Sequence, residues 1–277
     1  MSRLVRPDAE IAYETGGEGS ELVTFLHGFT QRGRSWNEVI DLLGRGRRWL
    51  VVDLRGHGET REAEGAPVTM SACAQDLLAV WDELGVPRSH VVGYSMGARL
   101  ALHVAVNAAE RVRGLAAVAP HAGLRAAAER AQRRAHDDDL ADRIESNGIE
   151  WFADYWSALP IFSGLARRGP EYVEAIRRGR LLNRPEGLAA SLRGMGLGAM
   201  DELWSGLPKV VAPALMVAGE RDNRAAVTAE LAEATPGAEL ALFEDTGHCV
   251  HMERPAKFAA RLAGFLDAVD GGQTAVR

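Results

Sequence analysis

The feature that most constrains the fold of this chain is the pentapeptide Gly-Tyr-Ser-Met-Gly at residues 93–97, which has the form Gly-x-Ser-x-Gly. It follows a short apolar run that begins at His90, and it precedes a run rich in Ala and Leu that favours a helix. A serine between a strand and a helix lies on a tight turn, where only small residues such as Gly93 and Gly97 fit beside it. The pattern therefore predicts a strand–turn–helix unit with the hydroxyl of Ser95 exposed at the end of a sheet.

Apolar runs alternate with helical patterns along most of the chain. Strands are predicted at 11–14, 22–26, 49–54, 90–94, 114–120, 214–219 and 239–243, helices at 35–43, 70–84 and 255–265, and a frayed tail at 271–274. Ser35 with Glu38 three residues later is typical of a helix-capping box. Strands that are apolar throughout and separated by helices favour a parallel sheet covered on both faces. We therefore predict an α/β fold with a mostly parallel sheet.

This alternation of strands and helices stops after Pro120. Between residues 124 and 193 the apolar runs disappear, and helical stretches rich in Ala, Arg and acidic residues replace them, interrupted by Asn147-Gly148 and three prolines. The alternation resumes at residue 214. We expect residues 1–120 and 208–277 to form one α/β core in two parts, and residues 121–207 to form a helical lid inserted into it.

Composition and charge exclude several classes of partner. The net charge of −6 over 277 residues gives no reason to expect nucleic acid or an anionic membrane as partner. No stretch approaches the roughly 18 apolar residues that span a bilayer, and the N-terminus lacks an apolar signal region, so a cytoplasmic location is expected. Cys73 and Cys249 have neither disulfide nor metal-binding spacing. No metal or cofactor is implied, and the chain is expected to be a monomer or a homo-oligomer.

A serine at neutral pH needs a histidine that takes its proton and an acid that orients the histidine. In a fold of this kind the acid and the histidine follow the serine in that order, each in a loop after a late strand. Asp222 is the predicted acid, with Glu220 as the nearer alternative. His248 is the predicted base, with His251 as the alternative.

An oxyanion formed at the serine needs two N–H donors. The backbone N–H of Met96, the residue after the serine, is one predicted donor. The other is the backbone N–H of Phe29, in the loop that follows the strand 22–26. The N-terminus of the helix after Ser95 adds its positive dipole end to this oxyanion site.

The motifs together resemble one family of the α/β-hydrolase fold, the 2-succinyl-6-hydroxy-2,4-cyclohexadiene-1-carboxylate (SHCHC) synthases of menaquinone biosynthesis. The resemblance covers nearly the whole chain. In the core it rests on His27-Gly28-Phe29-Thr30, Asp53-Leu54-Arg55-Gly56-His57-Gly58, Gly93-Tyr94-Ser95-Met96-Gly97-Ala98-Arg99 and the Gly247-His248 turn. In the lid it rests on residues 123–124 with 129–134, 151–156 with 160–162, and 188–193. Three positions depart from the family's pattern, with Ala98 for Gly, Ala122 for Pro and Cys249 for Asn.

This resemblance implies a lyase that eliminates pyruvate from an enolpyruvyl cyclohexene carrying several carboxylates. The triad serine would act as a base and not as an acylated nucleophile. The resemblance assigns Tyr94 and Trp156 to the lining of the substrate pocket. It assigns Arg99, Arg133 and Arg180 to the substrate's carboxylates.

Position alone supports the role of Arg99, because a residue four after Ser95 shares the serine's side of a helix. A guanidinium there can pair bidentately with a carboxylate and contributes little to the hydrolysis of a neutral ester. For the two lid arginines the sequence leaves neighbours as alternatives: Arg130, Arg134, Arg177 and Arg178. The alternative function is a serine hydrolase of the same fold (carboxylesterase, thioesterase or carbon–carbon bond hydrolase) that acts on a small carboxylate-bearing substrate. A non-catalytic receptor of this fold is disfavoured, because all three triad positions are occupied.

Overall fold

The computed structural model describes residues 1–274, and within them nine strands form a single sheet. The order across the sheet is β1-β2-β4-β3-β6-β7-β8-β9, with the short β5 paired to β2. The pairs that β2 makes with β1, β4 and β5 are antiparallel, and all pairs from β4 to β9 are parallel. The strands are β1 (Ser2–Val5), β2 (Ala9–Gly16), β3 (Leu22–Leu26), β4 (Arg48–Val52), β5 (Arg61–Glu62), β6 (Ser89–Tyr94), β7 (Val112–Val118), β8 (Ala214–Gly219) and β9 (Ala238–Phe243).

Helices cover both faces of this sheet. They are α1 (Asn37–Leu43), α2 (Met70–Glu83), α3 (Met96–Asn107), α4 (Ala127–Ser157), α5 (Pro170–Arg180), α6 (Pro185–Met195), α7 (Ala225–Ala234), α8 (Val250–Glu253) and α9 (Pro255–Thr274). Short 3₁₀ segments occupy residues 33–36, 109–111, 160–168 and 204–209. No helix of the described residues is long and apolar enough to cross a bilayer.

The central strand β3, Leu-Val-Thr-Phe-Leu, illustrates why the buried strands are nearly continuous apolar runs. All five of its residues are buried, and successive side chains point to opposite faces of the sheet. Leu22 and Leu26 join the apolar cluster that contains residues of α2 and α3. Val23 and Phe25 join the cluster that contains residues of α1 and α9. A sheet packed on both faces leaves no polar face on its strands, and the predicted α/β fold is confirmed.

Between β7 and β8 lie α4, the 3₁₀ segment 160–168, α5 and α6. Helices α4 and α6 share an apolar cluster of their own, formed by Leu140, Ala141, Ile144, Phe152, Leu188, Ala189 and Leu192. Gly148 interrupts α4 with φ +81° and ψ 179°, a non-helical conformation, so α4 consists of two helices that meet at a kink at the predicted break Asn147-Gly148. This helical segment therefore has its own core while it remains part of the chain between two neighbouring strands.

Local sequence signals were wrong in two places. The capping box at Ser35 does not form, because a 3₁₀ turn precedes α1 and Trp36 occupies the N-cap position without a side-chain cap. The fully buried Trp36 packs on Phe25 with ring centroids 5.4 Å apart, and this packing sets the start of the helix. At the other end of the chain, α9 continues through the predicted frayed tail to Thr274.

Candidate active site

The turn between β6 and α3 places Ser95 in a backbone conformation that non-glycine residues rarely adopt, with φ +51° and ψ −104°. The flanking glycines are required by close packing of the backbone. A Cβ on Gly93 would lie 2.3 Å from the carbonyl oxygen of Gly97, and one on Gly97 would lie 2.2 Å from that of Leu26. The N–H of Ser95 donates to the carbonyl of Val118 at 2.9 Å, which ties the turn to the neighbouring strand β7.

The structure brings Ser95, His248 and Asp222 together, although they follow three different strands. The Oγ of Ser95 lies 3.2 Å from Nε2 of His248, and Nδ1 of His248 lies 2.8 Å from Oδ2 of Asp222. The other carboxylate oxygen, Oδ1, accepts from the backbone N–H of Arg224 at 3.1 Å. The Asp222 contact favours the histidine tautomer with its proton on Nδ1, which leaves Nε2 free to accept the serine proton.

Burial and mutual contact set the charge states of the acid and the base. Burial lowers the pKa of His248 below 6.5, although the hydrogen bond and charge of Asp222 act in the opposite direction. Burial favours the neutral form of Asp222, but the hydrogen bond and charge of His248 outweigh it and hold the carboxyl pKa below its ordinary value. At neutral pH the pair is therefore a neutral imidazole and a carboxylate, as proton abstraction requires.

The two alternatives for the acid and the base lie elsewhere. Glu220 is exposed and accepts from the N–H of Asp245 at 3.2 Å. His251 is buried in an aromatic cluster, with its ring centroid 4.3 Å from Trp36 and 4.5 Å from Tyr94, and neither of its ring nitrogens has a hydrogen-bond partner. Among the described residues, the hydroxyl of Ser95 is hydrogen-bonded to His248 and to neither of these two side chains.

The two predicted oxyanion donors lie at the start of α3 and in the loop after β3. Met96 is the first residue of α3, so its N–H has no partner within the helix. The loop of Phe29 is fixed by His27, whose Nδ1 bonds the Gly28 carbonyl at 2.9 Å while its Nε2 accepts from the N–H of Leu54 at 3.0 Å. Burial lowers the pKa of His27 to about 4, so this bridging imidazole stays neutral.

Arg99 is buried and lacks an anionic partner. Its Nη1 donates to the carbonyl of Met195 at 2.6 Å, its Nε has no hydrogen-bond partner, and no carboxylate of the described residues lies within 4.0 Å. Burial, Arg224 and Arg133 together lower the pKa of Arg99 to about 9. Arg133 differs, because its half-exposed side chain pairs with Asp137 at 2.8 Å.

Arg180 is a second buried guanidinium, brought to the core by α5. Its Nε donates to Oγ1 of Thr30 at 3.3 Å, its Nη1 donates to the hydroxyl of Ser157, and it lies 4.9 Å from the ring centroid of Phe162. Among the described residues it has no carboxylate within 4.0 Å. The competing arginines have other surroundings: Arg130 bonds backbone carbonyls, Arg134 bonds the Gly198 carbonyl, Arg177 pairs with Asp154, and Arg178 is exposed.

Tyr94 and Trp156, the predicted lining residues, are held by aromatic neighbours. The ring of Tyr94 lies 5.2 Å from that of His248, and its hydroxyl lies 3.0 Å from Sγ of Cys249. Trp156 packs edge-on against Phe29 at 5.3 Å, and its Nε1 is buried without a partner. A cavity of about 310 Å³ opens beside the triad, but none of the predicted substrate-binding residues lines it. Its walls include Pro160, Ser163, Arg167, Asp222, His248 and Glu253.

Two residues near the triad were missed by sequence analysis. Glu253 is 7% exposed, and its carboxylate accepts from the N–H groups of Gly247 at 2.8 Å and Cys249 at 3.1 Å, on either side of the base. Arg224, two residues after the acid, has a solvent-excluded Nη1 without a hydrogen-bond partner. The sequence offered one signal for both, because each lies within a few residues of the predicted acid or the predicted base. Within residues 1–274, no group of three His, Cys, Asp or Glu side chains could hold a metal ion.

Known proteins similar to this chain include several of one named activity. A 2-succinyl-6-hydroxy-2,4-cyclohexadiene-1-carboxylate synthase of Klebsiella pneumoniae is 31% identical over 256 residues, which cover 92% of this chain and 97% of the relative. A protein of Bacillus subtilis (strain 168) with a provisional assignment to the same activity is 35% identical over 258 residues, which cover 92% of this chain and 94% of the relative.

Solved structures of two proteins are also similar to this chain over nearly its whole length. MenH from S. aureus is 29% identical with a TM-score of 0.89, and the match covers 93% of this chain and 98% of that one. A thermophilic esterase from Thermogutta terrifontis, with malate bound, is 26% identical with a TM-score of 0.86 and coverage of 97% and 99%. The model of the alpha/beta hydrolase family matches residues 25–261. The chain therefore belongs to the α/β-hydrolase family and, within it, to the family of the 2-succinyl-6-hydroxy-2,4-cyclohexadiene-1-carboxylate synthases.

Proposed function

We propose that this chain eliminates pyruvate from 2-succinyl-5-enolpyruvyl-6-hydroxy-3-cyclohexene-1-carboxylate to give SHCHC, a step of menaquinone biosynthesis. One observation carries the proposal. Ser95 is hydrogen-bonded to a buried neutral His248, and one turn along the same helix lies the buried Arg99 with no carboxylate partner among the described residues. An activated serine beside an uncompensated cation suits a substrate that carries carboxylates. The activity named for the relatives supports the same reaction.

The names of substrate and product define which bonds change. The proton on C2 is acidic because C2 is attached to the succinyl carbonyl. Its removal forms the C2=C3 bond, moves the existing double bond to C4=C5 and breaks the C5–O bond to the enolpyruvyl group. In our proposal the Ser95 oxygen takes this proton while His248 accepts the serine's own, and the imidazolium then returns a proton to the leaving enolpyruvate, which tautomerises to pyruvate.

The surrounding groups stabilise the charge that develops during this elimination. Negative charge accumulates on the succinyl carbonyl oxygen as the C2 proton leaves. The N–H groups of Met96 and Phe29 are the proposed donors to that oxygen. Asp222 stabilises the transient imidazolium, while Arg99, Arg133 and Arg180 are the proposed partners of the substrate's carboxylates. Tyr94 and Trp156 are proposed to line the pocket.

The test is to incubate the pure protein with the enolpyruvyl cyclohexene and to follow pyruvate with a coupled dehydrogenase. Wild-type protein should release pyruvate, and Ser95→Ala should lower kcat by about 10⁴-fold or more, the usual effect of removing a triad member. Circular dichroism of Ser95→Ala controls for folding. A wild-type protein that releases no pyruvate, or a folded Ser95→Ala variant with unchanged turnover, would overturn the proposal.

A serine hydrolase of a small carboxylate-bearing substrate is the second candidate function. The same hydroxyl, base and oxyanion donors could support acylation of the serine, and the similar esterase structure has malate bound. The two candidates differ in one intermediate, because a serine that acts only as a base forms no covalent adduct. Quenching native turnover and finding by mass spectrometry an acyl group on Ser95 would favour the hydrolase.

We also propose that residues 121–207 act as a lid over a core made of residues 1–120 and 208–277. Support comes from contacts between the two, such as that of Arg180 with Thr30. The proposed partner of the closed site is a small molecule with several carboxylates, and the proposal involves no nucleic acid or membrane. The proposed compartment is the cytoplasm, and both cysteines are free thiols, as in most cytosolic proteins.

A further inference from the structure

We infer that Arg224 binds a substrate carboxylate together with Arg99, apart from the position already proposed for Arg180. The inference rests on the proposed function only for the identity of the ligand. Its structural basis is a pair of guanidinium groups, of the buried Arg99 and the partly buried Arg224, each with a solvent-excluded nitrogen that has no hydrogen-bond partner among the described residues. It adds to the site a residue of the core loop that carries the triad acid.

Arg224 is placed beside the acid but is not paired with it. Its backbone N–H, and not its side chain, donates to Oδ1 of Asp222, while Oδ2 of Asp222 is bonded to His248. The Nη1 of Arg224 is excluded from solvent and has no hydrogen-bond partner among the described residues, and none of their carboxylates lies within 4.0 Å of this side chain. The charge of Asp222 acts on Arg224 from beyond this distance, but a solvent-excluded N–H donor without an acceptor is still costly, and a bound anion would supply that acceptor.

Arg99 has the same deficit and lies within electrostatic reach of Arg224. Its Nε is also solvent-excluded and without a partner. Burial, and to a lesser extent the positive charges of Arg224 and Arg133, lower the pKa of Arg99 to about 9. His121 adds no charge of its own, because burial and these arginines lower its pKa to about 4 and keep it neutral.

The remaining charges near this pair do not neutralise it. Arg133 adds a third positive charge, and two carboxylates act on the group, Asp137 on Arg99 and Asp222 on Arg224. Three guanidinium groups and two carboxylates leave an excess of one positive charge. A carboxylate offers two oxygens to two forks of N–H donors, and its binding would relieve both the repulsion and the missing hydrogen bonds.

Arg180 marks a different position. It contacts Thr30, Ser157 and Phe162, and its pKa is lowered by burial. None of these contacts is shared with Arg99, whose guanidinium bonds the carbonyl of Met195. The contacts of Arg180 are thus separate from those of Arg99, which fits a ligand with at least two carboxylates.

The test uses Arg224→Met, which keeps the apolar stem and removes the fork, with Arg221→Met as the matched control. Arg221 lies in the same loop, but its side chain is 63% exposed and pairs with Asp245. Succinate is the probe, and its binding is measured by calorimetry. Arg224→Met should weaken succinate binding at least about tenfold, whereas Arg221→Met should change it by less than about twofold. Arg224→Lys should recover only part of the loss, because an ammonium cannot pair bidentately.

A reaction with an uncharged probe distinguishes a role of Arg224 in binding carboxylates from a role in holding the triad in place. Labelling of Ser95 by an uncharged fluorophosphonate should proceed in Arg224→Met within about threefold of the wild-type rate, measured on the plateau above the pKa of His248. An equal loss in labelling and in succinate binding would mean that Arg224 supports Asp222 or the fold, and would overturn the inference. So would succinate binding that Arg224→Met leaves unchanged, or no succinate binding by the wild type.

Failure of this inference and failure of the proposed function give different results. If the wild type binds succinate through Arg224 but releases no pyruvate from the enolpyruvyl substrate, the reaction is wrong and the carboxylate position stands. If the wild type releases pyruvate and Arg224→Met retains the wild-type kcat/KM, the reaction stands and the role of Arg224 is wrong. Should Arg224→Met not fold, Arg224→Lys decides, since an unchanged succinate affinity there would exclude bidentate pairing.

Discussion

Replacing Glu253 with Gln should slow the reaction by loosening the loop of the base. The carboxylate of Glu253 accepts from the N–H groups of Gly247 and Cys249, the two neighbours of His248, at 2.8 and 3.1 Å. A glutamine keeps one acceptor oxygen but turns an NH₂ group, which is a donor, toward the other N–H. The loop therefore loses one of the two bonds that hold His248 in place.

The size of the effect follows from this geometry. A hydrogen bond to a charged group contributes about 1.5–3 kcal/mol, and a buried N–H left without a partner costs about 1–3 kcal/mol. Since Glu253 is 7% exposed, water does not replace the lost acceptor, and we expect Glu253→Gln to lower the free energy of unfolding by about 2–3 kcal/mol. A displacement of the base by about 1 Å is worth roughly 10²-fold in rate, so kcat should fall about 10- to 100-fold with little change in KM.

Urea unfolding and steady-state pyruvate release measure these two quantities. Glu220→Gln is the matched control, because Glu220 also accepts a backbone N–H but is exposed. The negative charge of Glu253 raises the pKa of His248, so its loss should move the acid limb of the pH profile to lower pH. A Glu253→Gln variant with wild-type kcat and an unmoved acid limb would refute the role of this carboxylate in holding the base.

Three further predictions concern the same region. Activity requires neutral His248, whose pKa is lowered by burial, so kcat/KM should fall with decreasing pH only below 6.5; an acid limb above that value would contradict the geometry. His251→Leu should keep kcat within about threefold and become more stable than the wild type near pH 5. Burial lowers the pKa of His251 to about 3 in the folded protein, so the wild type loses stability as the pH falls below the pKa of this histidine in the unfolded chain. Chemical denaturation at two pH values tests this. Gly164→Ala should lower the free energy of unfolding by at least about 1 kcal/mol, because its Cβ would lie 2.0 Å from Oε2 of Glu253. Gly179→Ala is the control and should stabilise the protein, because its Cβ would meet nothing within 4 Å. Equal shifts of the melting temperature in the two variants would exclude the clash.

Sequence patterns predicted the fold and the triad residues, because both can be recognised from short stretches of sequence. Strand β3 reads as an apolar run since it is covered on both faces, and the same is true of β6 and β8. The carboxyl ends of parallel strands lie at one edge of a sheet, so residues that follow different strands can meet there. Ser95, Asp222 and His248 each follow such a strand, and the structure places them within hydrogen-bond distance.

The residues that sequence reasoning missed act through partners distant in the chain. Arg224 is distinguished by a solvent-excluded Nη1 that has no hydrogen-bond partner among the described residues, and no local pattern encodes that. Glu253 resembles any acidic residue before a helix until its two backbone partners are known. The capping box at Ser35 failed for a related reason, because burial of Trp36 outweighed a local preference worth about 1 kcal/mol.

The backbone of Ser95 sets stability and activity against each other at a single position. Its φ of +51° and ψ of −104° cost on the order of 1–3 kcal/mol for a residue with a Cβ, and glycine would adopt them without strain. In Ser95→Gly, the relief of this strain should therefore offset part or all of the cost of the added freedom of the unfolded chain, which is about 0.5–1 kcal/mol. The same substitution removes the hydroxyl of Ser95. Without selection for catalysis, replacement of this serine by glycine would therefore cost little folding stability, so a strained serine at this position indicates that the site is in use.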